Sequence, residues 1–73
     1  MLAKNYLHVM WDDYADRWRC WVFRNGQVTE REYLADIVAV VARAQELQLP
    51  VDMGGGQGRL RAALRAAGVR LLS

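Results

Sequence analysis

Seventy-three residues with a formal net charge of +2 set a limit of one small domain with a thin core. A single cysteine, Cys20, excludes an intrachain disulfide, and a single histidine, His8, with no cluster at metal-ligand spacing leaves no basis for a metal or other cofactor. No leader-like segment and no stretch long enough to span a bilayer can be read from the chain, so a cytoplasmic protein without a membrane partner is expected.

Asn5 to Trp11 and Arg17 to Arg24 alternate and are rich in aromatic and β-branched residues, which predicts two strands. Asp12 to Asp16 between them is turn material. Asn25-Gly26 is the strongest short hairpin signal, because both central positions of a type I′ turn need positive φ. A short third strand over Gln27 and Val28 follows.

Thr29-Glu30-Arg31-Glu32 has the form of a capping box, with Val28 and Tyr33 placed as a hydrophobic staple. A helix is therefore predicted from Glu30 to about Gln48, with Tyr33, Leu34, Ile37, Val38, Val40, Val41, Ala44 and Leu47 on its core side. Pro50 stops it. Leu49 to Met53 reads as a short strand, Gly54 to Gly58 as a loop, Arg59 to Ala67 as a second helix closed by Gly68, and Val69 to Leu72 as a last strand. The expected fold is a single two-layer α+β domain, with a small antiparallel sheet against two helices.

The hairpin register carries the functional argument. With Trp11 opposite Trp18, one face holds Leu7, Val9, Trp11, Trp18, Cys20 and Val22, all apolar. The other holds Tyr6, His8, Met10, Arg17, Arg19, Trp21 and Phe23. A one-residue slip would bring Arg17 and Arg19 into the core, so the first pairing is expected. Arginine, methionine and aromatic residues are the types enriched in protein interfaces and their hot spots. This second face is the expected partner-binding surface, with Trp21 exposed at its centre, unless the second helix or a twin subunit covers it.

The catalytic inventory is short, and no enzyme activity is expected. Ser73 is terminal, and Thr29 is assigned to capping. Cys20 and His8 fall on different faces in the preferred register, too far apart for a nucleophile–base pair. Asp12, Asp13 and Asp16 do not have the spacing of a calcium loop. The segment after Asp52 carries Arg59, Arg61, Arg65 and Arg70 with no acidic side chain. Together with the Gly-rich loop it offers a second reading, contact with a phosphate or nucleic-acid backbone through Arg59, Arg61 and Arg65. The loop lacks the Lys-Ser/Thr of a Walker A motif and the last glycine of G-x-G-x-x-G.

In size, arginine-rich make-up and hairpin-then-helix layout, over Tyr6 to Phe23 and Thr29 to Leu47, the chain resembles the small single-domain inhibitors of bacteriophages and mobile elements. Anti-CRISPR proteins are the best-known of these. The resemblance implies stoichiometric binding to a protein subunit of a larger bacterial defence complex in the host cytosol, blocking target binding or nuclease recruitment. It carries over no functional residue. Homodimerisation is a further expectation, since small domains often gain stability by self-association.

Overall fold

The structure, a computed structural model, describes residues 3–54 and 57–72. The described elements run β1 (Tyr6–Asp12), β2 (Arg17–Arg24), β3 (Gln27–Leu34), α1 (Ile37–Leu47), β4 (Val51–Met53) and α2 (Gly58–Ala66). The sheet order is β3-β2-β1-β4. The fold is a small α+β domain, as expected. Its sheet is mixed rather than antiparallel, because β4 pairs parallel to β1. A parallel neighbour needs a crossover, and α1 supplies it.

The hairpin register is the expected one: Trp11 faces Trp18, Val9 faces Cys20, and Leu7 faces Val22. The Asn25-Gly26 turn has φ of 53° and 79° at its two centres, as a type I′ turn requires. The turn between β1 and β2 is organised by Asp12. Its Oδ1 accepts from the backbone N–H groups of Tyr14 and Ala15 at 2.9 and 3.0 Å. The Ala15 hydrogen bond above all holds the Asp12 carboxyl below its ordinary value of 3.8, against the opposing effect of desolvation. Asp13 accepts from Trp11 Nε1 at 2.9 Å, so two of the three clustered aspartates are engaged in the turn itself.

The largest departure lies at residues 27–36. The third strand does not stop at Val28 but continues to Leu34, and α1 begins at Ile37. Thr29 caps no helix. A bulge between Val22 and Phe23 leaves it opposite no residue, and its hydroxyl donates to the Val22 carbonyl at 3.3 Å. The true cap is Asp36, whose Oδ1 accepts from Ala39 N–H at 2.8 Å. Tyr33 and Leu34, expected on the helix, belong to the strand.

The reason is visible on α1. Glu30 and Glu32 lie on the helix side of β3, and Arg43 of α1 answers both, at 3.3 and 2.8 Å, while also meeting Glu46 at 2.6 Å. A strand with carboxylates on its inward face is tolerable at a sheet edge where one guanidinium pairs with them. The two caps make opposite predictions. Asp36→Ala should cost about 1 kcal/mol of stability by denaturant titration. Thr29→Ala should cost no more than about 0.5 kcal/mol. Equal losses would return the helix start to Thr29.

The core joins Leu7, Val9, Trp18, Cys20 and Val22 of the hairpin to Val40 and Ala44 of α1, Val51 and Met53 of β4, and Leu60 and Leu64 of α2. Both helices therefore pack on one face of the sheet. Gln48, in the left-handed region at φ 55°, closes α1 two residues before Pro50. A Schellman motif closes α2: Val69 N–H donates to Leu64 O, Gly68 N–H donates to Arg65 O, and Gly68 sits at φ 77°. The expected last strand is reduced to one parallel bridge, Leu71 beside Val51. Val38 stands 77% exposed, so the apolar stripe of α1 is narrower than its sequence suggests.

Cys20 is fully buried beside Trp18 and opposite Glu32. Burial, with a smaller contribution from Glu32, pushes its thiol up to about 12. The thiol therefore stays protonated near neutral pH, and the thiolate is the reactive form. Thiol labelling of the native protein should be slow and should accelerate by orders of magnitude in denaturant. Fast native labelling would place Cys20 on the surface.

Candidate binding face

With both helices on one side, the opposite side of the sheet is open. Strand pairing arranges its side chains in rows. One row crosses all four strands as Asp52, His8, Trp21 and Arg31. The next runs Met10, Arg19 and Tyr33, and a third runs Tyr6, Phe23 and Val28. Asp12 and Arg17 stand opposite each other at the end of the hairpin.

Each row has its own internal contacts. Tyr6 and Phe23 stack with ring centroids 4.7 Å apart and planes within 11°. His8 Nδ1 lies 2.9 Å from Asp52 Oδ2, so the histidine is paired across the β1–β4 ladder. Two guanidinium groups lie over the Trp21 ring, that of Arg19 at 4.7 Å and that of Arg31 at 5.5 Å. Arg19 Nη2 also donates to Met10 Sδ at 3.1 Å, while its Nε is buried with no hydrogen-bond partner. Tyr33 is half exposed, and its hydroxyl donates to Asp12 Oδ2 at 3.3 Å.

All seven residues expected on this face are there: Tyr6, His8, Met10, Arg17, Arg19, Trp21 and Phe23. Trp21 is corrected in one respect. It is half-buried against two arginine side chains, not freely exposed. Cys20 and His8 lie on opposite faces, since His8 pairs with Trp21 and Cys20 with Val9.

Arg31, Tyr33 and Asp52 were not anticipated. The first two were assigned to a helix, although Thr29, Arg31 and Tyr33 alternate with Glu30, Glu32 and Leu34 as a strand does. Asp52 is the outward residue between buried Val51 and Met53, and only the pairing of β4 with β1 brings it to His8.

The arginines of the second reading are not part of this face. Arg59, Arg61 and Arg65 are on α2, which packs on the other side of the sheet. Gly55 and Gly56 of the Gly-rich loop lie outside the described residues. Among the described residues no group of three or more histidine, cysteine or carboxylate side chains is placed to hold a metal, and no helix is long and apolar enough to cross a membrane. A shallow apolar groove runs between α1 and α2, lined by Ile37, Val38, Val41, Ala42, Ala63 and Ala66 with Gln45 at its rim. It presents no charged side chain. The chain matches no family model, and no curated protein or solved structure is significantly similar to it.

Proposed function

We propose that this chain is a non-enzymatic binding module that docks the open face of its sheet onto a carboxylate-rich protein surface. The observation that carries this reading is the Trp21 ring lying under two guanidinium groups at the centre of a sheet face that neither helix covers. Among the described residues neither Arg19 nor Arg31 meets a carboxylate in an ion pair. Tryptophan, tyrosine and arginine clustered at the centre of a face are the composition of a binding hot spot. Unpaired cations there favour an acidic partner.

Single-stranded nucleic acid is the competing reading. It calls for free aromatic faces on which bases stack. Here Tyr6 and Phe23 each spend one face on the other, and the Trp21 ring is covered by guanidinium groups. The cations of α2 cannot extend the face, because they lie behind the sheet. The protein reading is therefore preferred. Its biological form is stoichiometric inhibition of a larger bacterial defence complex, the role implied by the resemblance to phage-borne inhibitors. The open face with its arginine and aromatic side chains supports that role.

The test starts from immobilised protein exposed to nuclease-treated bacterial lysate, with Arg19→Glu/Arg31→Glu as the control. A protein retained by the wild type and lost from the control is then purified and titrated against the module. Saturable one-to-one binding by calorimetry is the expected result. Binding that vanishes after nuclease treatment, or that survives the double charge reversal, would overturn the reading.

A further inference from the structure

We propose that Arg19 and Arg31, aligned by Trp21 and gated by Met10, form a clamp for a single carboxylate of an acidic protein segment. The proposal rests on the protein-docking reading above and makes it specific. Three observations carry it. First, Arg19 Nε is a buried donor without an acceptor, and buried donors are almost always paired. Second, the neighbouring Nη2 donates to Met10 Sδ, a weak acceptor. An arginine edge so held keeps its capacity for a bidentate carboxylate contact. Third, the two guanidinium carbons lie 4.7 and 5.5 Å from one ring centroid. They are thus no more than about 10 Å apart, within roughly one Debye length at 0.1 M salt. Their mutual repulsion is relieved by an anion between them.

Met10 is suited to act as the gate. It is unbranched, 36% exposed, and opposite Arg19 in the β1–β2 ladder. Its methyl rests against Gly54, where an added Cβ would come within 2.8 Å of it. Glycine at 54 therefore leaves the space in which the Met10 side chain sits. A carboxylate approaching Arg19 replaces the thioether as acceptor, and Met10 swings aside.

The experiment uses the whole protein labelled at its methionine methyls and tryptophan indoles, titrated by NMR with an octaglutamate peptide and, separately, an octathymidylate of similar charge. With octaglutamate, the Met10 methyl and the Trp21 indole N–H should shift and saturate, while the buried Met53 methyl stays still. Arg19→Gln and Arg31→Gln should each weaken binding about tenfold or more. Arg65→Gln on α2 should leave it unchanged, and Met10→Ala should bind at least as tightly as wild type.

A stationary Met10 methyl, an equal loss from Arg65→Gln, or tighter binding of octathymidylate at the same resonances would each overturn the clamp. Failure of the clamp is separable from failure of the docking face. If the captured protein partner still binds Arg19→Gln and Arg31→Gln but loses Trp21→Ala and Tyr33→Ala, the face is right and the clamp is wrong.

Discussion

Trp18→Ala should bring the domain close to unfolding, with a loss of about 3–5 kcal/mol. Trp18 is 7% exposed and meets Trp11 edge-on, with ring centroids 5.1 Å apart. It faces Trp11 on one side and Leu34 on the other, so its ring joins all three strands of the antiparallel part of the sheet. Removing it leaves a cavity that two flanking strands and a helix cannot easily close. A chain of this length has a total stability of roughly 4–11 kcal/mol, so the expected loss is a large fraction of the whole. In a thermal melt followed by circular dichroism, the midpoint should fall by at least about 12 °C. A fall of only a few degrees would show that the ring is not part of the core.

Trp21→Ala should behave in the opposite way. Its ring lies on the far side of the same strand and touches two arginines rather than the core. Loss of two cation–π contacts should cost about 1–2 kcal/mol of stability, leaving the domain folded. Binding should suffer far more. Truncating a central aromatic of an interface costs about 2–4 kcal/mol, which is a loss of affinity of about 30- to 700-fold. The arginines add to this, because without the ring beneath them both guanidinium groups lose their fixed orientation. The measurement pairs a melt with calorimetry against the purified partner. A variant that melts like Trp18→Ala would make Trp21 a core residue. One that is folded and binds normally would move the interface off this face.

These two tryptophans are three residues apart on one strand and lie on opposite faces of the sheet. Their separation was legible because a strand alternates faces, and only one register kept Arg17 and Arg19 out of the core. The Asn25-Gly26 turn was legible for a similarly local reason, as positive φ at two successive positions suits few residues. The end of α2 was legible from Gly68.

The span from Val28 to Asp36 was misread because two local codes coincide there. Thr-x-x-Glu is a capping box on a helix, and it is also two steps of alternation on a strand. Burial decides between them, and charge concealed it: two of the inward positions of β3 are Glu30 and Glu32, with only Leu34 at its end apolar. Their partner, Arg43, is eleven residues beyond Glu32 and reaches them only once α1 lies across the sheet.

The hairpin, its register, its turn and the seven side chains of its outer face are local consequences of the sequence, because each follows from backbone sterics or from a period of two. What lies beside that hairpin depends on long-range pairing. The β3 edge adds Arg31 and Tyr33, and the parallel β4 adds Asp52 to His8. The side of the sheet on which both helices settle was likewise a tertiary outcome, because it depends on contacts between residues far apart in the chain. A pairing over that distance is chosen by the free energy of the assembled core, and no local pattern encodes it.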